Sequence, residues 1–164
     1  MNGMLVGRFQ PFHLGHLEAL RFALSQVTQL WLCIGSSNIS QTKSNPFSYE
    51  ERREMILASV DDFMESRLDI FPIPDVGDHQ KWAKMIKNII PEFDVVFTND
   101  SLTRHIYLRQ NVDVIPIPFA DRENLSGTHI RGLIAGDLTW DHLVPAGTKK
   151  FLLDSGAKQR LKNL

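Results

Sequence analysis

Five short apolar runs alternate with segments of predicted helix along this chain, and this alternation limits its possible folds more than any other feature. The runs lie at residues 4–6, 30–34, 68–73, 94–97 and 112–115. Continuous apolar runs are typical of strands buried on both faces of a parallel sheet. Helices are predicted at residues 14–26, 48–64, 79–90 and 102–110, and a further one starts near residue 126 and stops at Gly136. The sequence thus predicts an α/β fold of the Rossmann-like, doubly wound type, with a mostly parallel five-stranded sheet and helices on both faces.

The length of 164 residues is typical of one domain that buries about two thirds of the surface of its unfolded chain. We expect a single domain over residues 1–164, in which residues 136–164 form a small helical C-terminal extension. The end of this extension is basic, which is typical of a solvated helix face or of a surface that packs on a neighbouring subunit. Pro72 and Pro74 place the end of the third strand near a sheet edge.

The net charge and the cysteine content limit which binding partners and which cellular compartment are expected. A net charge of −1 gives no bulk attraction for nucleic acid or for an anionic membrane, so a small ligand is expected. The single cysteine, Cys33, lies in an apolar run and has no partner for a disulfide, as in a reducing cytoplasm. No export signal is evident, and no apolar run approaches the roughly 18 residues that span a bilayer.

The turn between the first strand and the first helix, residues 7–16, gathers groups that favour an anion. It contains the guanidinium of Arg8 and the imidazoles of His13 and His16. The first N–H groups of a helix, at the positive end of its dipole, face whatever lies above the sheet edge. Together these groups suggest a phosphate site. For a histidine pair taken alone, however, helix capping or local packing is the simpler interpretation.

A second helix start carries a similar composition. Ser126, Gly127 and Thr128 precede a helical pattern, and Arg131 follows about one turn later. Simple N-capping explains any one Ser-Gly-Thr sequence. In a doubly wound sheet, however, both helix starts lie at the same edge and can face one polyphosphate.

The two motifs together resemble those of the nucleotidyltransferase superfamily that carries an HxGH motif. They read Gly7-x-Phe9-x-Pro11-x-His13-x-Gly15-His16 and Ser126-Gly127-Thr128-x-x-Arg131. Within this superfamily, residues 4–143 are most similar to the archaeal type of nicotinamide-nucleotide adenylyltransferase. The similar stretches are residues 6–13, residues 33–36, Pro46-Phe47-Ser48 with Glu51-Arg52, and Trp82.

This resemblance implies transfer of AMP from ATP to the 5′-phosphate of nicotinamide mononucleotide (NMN), giving NAD and pyrophosphate. The implied catalytic residues are His13, His16 and Arg131, of which His16 steadies the α-phosphoryl group. The residues implied at the ATP site are Gly7, Arg8, Phe9, Gln10, Gly15, Lys43, Ser126, Gly127 and Thr128. A homo-oligomer is also implied.

The chemistry suits these residue types. Attack of one phosphate on another needs mainly alignment and charge stabilisation, which imidazolium, guanidinium and helix N–H groups provide. No protein ligand for a metal is expected, because Mg²⁺ is commonly held by ATP phosphates and water.

On the acceptor side, the implied residues are Asp75, His79, Trp82 and Asn99, and Trp82 stacks on the nicotinamide ring. Trp82 also belongs to an apolar helical stripe and can equally be a core residue. Asn99 can cap a helix or bind the acceptor. The chain departs from the archaeal pattern twice, with Ser44 beside Lys43 in place of an arginine and with His79 in place of an asparagine.

Two other functions fit the same motifs. The acceptor can be a different phosphomonoester, such as phosphopantetheine or another mononucleotide. Alternatively, the chain can be a nucleotide-binding sensor that has lost turnover.

Overall fold

The computed structural model describes residues 1–118 and 121–164, and it contains five strands. The strands are β1 (Asn2–Gly7), β2 (Gln29–Ile34), β3 (Leu68–Pro72), β4 (Val95–Phe97) and β5 (Asp113–Ile115). The helices are α1 (Leu14–Gln26), α2 (Tyr49–Ser59), α3 (Asp62–Glu65), α4 (His79–Ile89), α5 (Ser101–Leu108), α6 (Gly127–Ala135), α7 (Ala146–Asp154) and α8 (Ala157–Lys162). A short 3₁₀ turn, Asp141–Leu143, precedes α7.

All strand pairs are parallel, and the strand order is β3-β2-β1-β4-β5. The predicted Rossmann-like fold is therefore confirmed. The order reverses between β1 and β4, where a doubly wound sheet opens a crevice beyond the carboxyl ends of its strands. The loop after β1, which carries the HxGH motif, begins at this crevice.

Side chains that alternate along the strands build one core on each face of the sheet. Leu5 and Leu32 belong to a large cluster that includes residues of α1, α2, α6, α7 and α8. Their neighbours Met4 and Cys33 belong to a second cluster, with α4 and α5. Helices thus cover both faces, as predicted, and Cys33 is a buried free thiol.

The helix expected over residues 48–64 is interrupted. Val60 is extended, and the carboxylate of Asp61 accepts a hydrogen bond of 2.8 Å from the N–H of Met64, so that Asp61 starts a separate short helix, α3. An aspartate is a strong N-cap, and here it overrides the continuing helical pattern. β3 lies at a sheet edge, as Pro72 and Pro74 indicated.

The C-terminal extension packs on the rest of the domain, and its basic residues are paired within the chain. Gly147 of α7 lies so close to α2 that a Cβ atom there would be 2.3 Å from the carbonyl oxygen of Ala58. The ion pairs are Lys149 with Asp141, Lys150 with Asp154, Lys158 and Lys162 with Asp137, and Arg160 with Glu51. Among the described residues, no helix has the length and apolarity needed to cross a membrane.

Candidate active site

The loop after β1 is a tightly packed turn that supports His16 from below. Phe9 adopts a left-handed backbone conformation, with φ at 54°. The residue is buried, with 2% of its surface exposed. Gly7 makes room for this ring, since a Cβ atom at Gly7 would lie 2.7 Å from it. The ring meets the imidazole of His16 edge-on, with 4.7 Å between the ring centroids. The glycine and the aromatic residue of the motif therefore fix the position of the second histidine.

His13 and His16 form a reciprocal cap at the start of α1. The backbone N–H of His16 donates to Nδ1 of His13 over 3.3 Å, and the N–H of His13 donates to Nδ1 of His16 over 3.2 Å. The imidazole rings stack with their centroids 3.6 Å apart. The helix-capping interpretation is thus confirmed. Because each Nδ1 accepts a hydrogen bond, each neutral imidazole carries its proton on Nε2 and keeps that donor for a ligand.

Burial keeps both imidazoles neutral in the free protein. It lowers the pKa of His13 to about 4. Burial, and then the proximity of His13, lowers the pKa of His16 well below its usual range. The histidines predicted to act as imidazolium groups in the reaction are therefore neutral in the free protein near neutral pH, because desolvation disfavours the charged form. The pair instead offers two neutral N–H donors.

The two sequence motifs are physically joined. Nη1 of Arg131 donates to the backbone carbonyl of Gln10 over 2.7 Å. Ser126 caps α6 by accepting from the N–H of His129. A Cβ atom at Gly127 would lie 2.8 Å from the carbonyl oxygen of Gln10, so only glycine permits this approach without displacement. The starts of α1 and α6 therefore meet at one edge of the sheet, as the sequence suggested.

A cleft of about 560 Å³ opens at this junction. Its lining includes Gly7, Phe9, His13, Gly15, His16, Asn99, Ser126 and Gly127, together with Thr98, Asp100 and Arg122. We call it the nucleotide cleft. Eight of the sequence-predicted site residues thus line one cavity.

Other predicted residues lie beside the nucleotide cleft. Lys43, Thr128 and Arg131 line a neighbouring groove of about 320 Å³. Arg8 is exposed. The pKa of Arg131 is lowered first by the burial of Arg131 and second by the charge of Arg8. These cations flank the position where α1 and α6 meet.

Gln10 is one of the residues predicted at the ATP site, but its side chain binds the backbone of the protein. It is buried, and both of its polar atoms bond the backbone of Phe47, with Nε2 donating to the carbonyl and Oε1 accepting from the N–H, each over 3.0 Å. Gln10 thus ties the loop before α2 to the HxGH turn, and only its backbone carbonyl meets Arg131.

Arg52 organises the same edge of the sheet, a role that sequence reasoning did not assign to it. Its guanidinium is fully buried and donates to the backbone carbonyls of Arg8, Gly35, Ser36 and Ser48 over 2.7–3.1 Å. Burial and the charge of Arg8 lower its pKa to about 10, so it remains charged at neutral pH. The loops after β1 and β2 and the start of α2 are therefore held by one cation. The sequence signals were the place of Arg52 directly after the capping box Ser48-x-x-Glu51 and its presence in a stretch similar to the archaeal family.

A second cleft, of about 420 Å³, contains most of the predicted acceptor residues. Its lining includes Asp75, Asp78, His79, Trp82 and Asp100, and we call it the acceptor cleft. The two clefts are adjacent because Asp100 lines both. Trp82 is half-buried and also packs against the second core cluster, so that it is at once a core residue and a wall of the cleft.

Asn99 does not cap a helix. Its side chain donates to the carbonyl of Ile117 over 2.7 Å and accepts from the N–H of the same residue over 2.8 Å. The cap of α5 is Asp100, which accepts from the N–H of Thr103. Asn99 thus joins the loops after β4 and β5 and lines the nucleotide cleft rather than the acceptor cleft.

Within residues 1–118 and 121–164, no three His, Cys, Asp or Glu side chains are grouped so that they could hold a metal ion. A divalent ion at this site would depend on ligands from the substrate and from water.

Comparison with known proteins identifies the family to which the chain is similar. A model of the cytidylyltransferase-like family matches residues 4–133. A nicotinamide-nucleotide adenylyltransferase of Thermococcus onnurineus is 37% identical over 99% of this chain and 88% of its own length. The corresponding protein of Saccharolobus solfataricus is 39% identical over 99% of this chain and 96% of its own length.

A solved structure shares the fold. It is a bifunctional NMN adenylyltransferase/ADP ribose pyrophosphatase from Francisella tularensis, 24% identical, which superposes with a TM-score of 0.85 over 99% of this chain. The present chain spans about half (51%) of that protein. On the family model and the two archaeal relatives, the chain belongs to the cytidylyltransferase-like family and, within it, to the nicotinamide-nucleotide adenylyltransferases.

Proposed function

We propose that this protein transfers the adenylyl group of ATP to the 5′-phosphate of NMN, giving NAD and pyrophosphate. The observation that carries the proposal is the junction of α1 and α6 at the nucleotide cleft, made by the bond from Arg131 to the carbonyl of Gln10. Two helix N-termini with neutral caps, His13 and Ser126, face one cavity there. Such helix ends are well suited to bind a polyphosphate.

The reaction is a direct displacement at the α-phosphorus. An oxygen of the acceptor 5′-phosphate forms the new P–O bond, and the bond between the α-phosphorus and the bridging oxygen to the β-phosphate breaks, so that pyrophosphate leaves with its electron pair. No proton transfer is required to form the bond. The protein must align the two reactants and stabilise the charge on the oxygens of the transferred group.

The donors of the cleft fit this task. The Nε2–H groups of His13 and His16 and the N–H groups at the start of α6 bind the phosphoryl oxygens. Lys43 and Arg131 neutralise the triphosphate from the flanking groove, and the exposed Arg8 adds its charge beside Arg131. Because each Nδ1 accepts a backbone hydrogen bond, the histidine pair binds phosphoryl oxygens as neutral Nε2–H donors, and the positive charge of the site comes from Arg8, Lys43 and Arg131.

The acceptor cleft provides the wall for a flat ring. Trp82 is half-buried and lines the cleft, and a planar pyridine ring stacked on its indole gains both apolar contact and attraction of the ring cation to the π face. Since Asp100 lines both clefts, an acceptor in this position lies next to the nucleotide.

ATP enters as its complex with a divalent ion, and we propose Mg²⁺. The Francisella protein was solved in complex with AMP and a manganese ion. The described residues of this chain offer no grouped ligand set of their own, so the ion is held by phosphate oxygens and water and belongs to the substrate.

The proposal is tested by measuring NAD formation and pyrophosphate release with MgATP and NMN. Equal amounts of the two products are expected. Phosphopantetheine, which has no planar ring, serves as the competing acceptor in the same assay. Faster turnover of phosphopantetheine would assign another acceptor, and tight ATP binding without turnover of any acceptor would indicate a sensor.

A further inference from the structure

The C-terminal helix α8 is fastened to the side of the domain that carries the phosphate donors. Nη1 of Arg160 donates to Oε1 of Glu51 over 2.8 Å, and each of these side chains is only 22% exposed. The same Oε1 accepts from the backbone N–H of Ser48 over 3.0 Å, within the capping box that starts α2. Leu161, the next residue of α8, is buried and lines the flanking groove together with Arg131. One helix of the C-terminal extension therefore contacts both the start of α2 and the phosphate groove.

Arg160 also contacts Phe47, the residue directly before the cap of α2. Its guanidinium carbon lies 5.4 Å from the centroid of the Phe47 ring, as in a cation–π contact. The ring of Phe151 in α7 meets the Phe47 ring edge-on, with 6.1 Å between the centroids. Phe47 is fully buried. Two helices of the C-terminal extension thus hold this ring in place.

The backbone of Phe47 is in turn joined to the HxGH turn. Its N–H and its carbonyl both bond the side chain of Gln10, each over 3.0 Å, and Gln10 is buried. A shift of Phe47 that broke either bond would leave buried polar groups unpaired, so Gln10 must move with Phe47. The backbone carbonyl of Gln10 accepts from Nη1 of Arg131 over 2.7 Å. A continuous set of contacts therefore runs from Arg160 through Phe47 and Gln10 to Arg131.

We propose that Arg160 is a positioning residue of the ATP site, which acts through Phe47 and Gln10 on the HxGH turn and on Arg131. Among the described residues, those that line the two clefts and the flanking groove do not include Arg160, so it acts without touching the nucleotide. The C-terminal extension is then part of the ATP site rather than a separate appendage. The inference rests on the proposed function, which makes ATP the nucleotide bound there.

The charge of Arg160 is the feature to change. In Arg160→Met the apolar stem is kept, but Glu51 loses its counter-charge in a largely buried position, and the cation over Phe47 is lost. We expect the Kd for MgATP to rise about fivefold, as for other residues that act on a ligand through a network of contacts. Arg160→Lys should stay within about twofold of the wild-type Kd, because an ammonium group still reaches one carboxylate oxygen and the ring face.

Titration calorimetry with MgATP measures this Kd and needs neither acceptor nor turnover. Thr148→Val is the matched control, because the buried hydroxyl of Thr148 also joins the extension to α2, but at the far end of that helix, 3.3 Å from the hydroxyl of Ser59. Urea unfolding should show a lower midpoint for both Arg160→Met and Thr148→Val, since each loses a largely buried polar contact. Only Arg160→Met should raise the Kd for MgATP.

Glu51→Gln is the milder variant that decides the question if Arg160→Met does not fold. Glutamine keeps the capping box of α2 while the ion pair is lost, so the Kd should rise, by less than in Arg160→Met. A wild-type Kd in these two variants, or an equal rise in Thr148→Val, would overturn the positioning role of Arg160 and leave adenylyl transfer to NMN intact. ATP binding without NAD formation by the wild-type protein would refute the proposed function alone, whereas absence of ATP binding would refute both.

Discussion

At the scale of single residues, the histidine pair shows that one side chain can serve both fold and chemistry. Each Nδ1 accepts the backbone hydrogen bond that starts α1, and each Nε2 remains as a donor. The capping interpretation and the phosphate interpretation of His13 and His16 are therefore compatible. The sequence indicated the two roles as alternatives, because spacing does not tell which ring nitrogen the backbone uses.

The first prediction separates these roles at His16. In His16→Asn the side-chain oxygen takes the position of Nδ1 and keeps the cap, but the Nε2 donor is lost. We expect kcat to fall about 10²-fold or more, with little change in the KM for ATP, as for loss of a contact made mainly in the transition state. Steady-state kinetics with NMN measure this.

His16→Ala is the matched variant, because it loses the cap as well. It should show a similar loss of kcat and, in addition, a free energy of unfolding lower by about 1 kcal/mol. A wild-type kcat in His16→Asn would contradict the role assigned to Nε2.

At the scale of elements, the close contact between α6 and the HxGH turn positions the phosphate donors. Gly127 lies against the carbonyl of Gln10, whereas Gly132, five residues further along the same helix, has nothing within 4 Å of an added Cβ atom. These two glycines therefore form a natural pair for testing the junction.

We predict that Gly127→Ala displaces the start of α6 and lowers kcat/KM for ATP more than about tenfold, since small displacements of positioning groups are costly. Gly132→Ala should leave kcat/KM unchanged and raise the free energy of unfolding by about 0.5–1 kcal/mol, because alanine favours a helix over glycine. Kinetics and urea unfolding of both variants check this. Equal kinetics for the two variants would show that the junction does not position the nucleotide.

Much of the element order could be predicted from the sequence, and the exceptions have physical causes. Apolar runs placed all five strands because strands buried on both faces have a strong local signal. The break at Val60 was missed because the cap of Asp61 competes with a helical pattern that continues past it. The role of Arg52 was missed because its partners are carbonyls from three separate segments.

At the scale of the whole molecule, the strand order brings distant segments of the chain to one edge of the sheet. The alternation of strands and helices in the sequence predicted this arrangement. The motifs at residues 7–16 and 126–131 meet there, as predicted from the topology of a doubly wound sheet. The separation into a nucleotide cleft, a flanking groove and an acceptor cleft could not be predicted, since it depends on side-chain packing between loops. Likewise, the pairing of the basic tail within the chain depends on contacts such as Arg160 with Glu51.

Global stability should depend on pH through the buried histidines. The pKa of His13 is about 4 in the folded protein against about 6.5 when unfolded, so between these values the unfolded chain binds the proton and the folded chain does not. The contribution is complete above pH 6.5 and is lost as the pH falls toward 4, by up to about 3 kcal/mol. His16 should add a loss of the same sign.

Urea unfolding between pH 7.5 and pH 4.5 measures this loss, and His13→Asn is the control because asparagine retains the cap and does not titrate. The variant should lose less stability over this range than the wild-type protein. An identical pH dependence in both would show that His13 is not held neutral by the fold.

If the proposed function is right, the nucleotide cleft directs attack at the α-phosphorus of ATP by the phosphate of NMN. Phosphorus NMR of a reaction with MgATP and NMN tests it most directly. We expect the α-phosphorus of ATP to appear in the diphosphate of NAD, while the β- and γ-phosphorus atoms appear together as pyrophosphate. Formation of ADP, of free phosphate, or of AMP without NAD would contradict it.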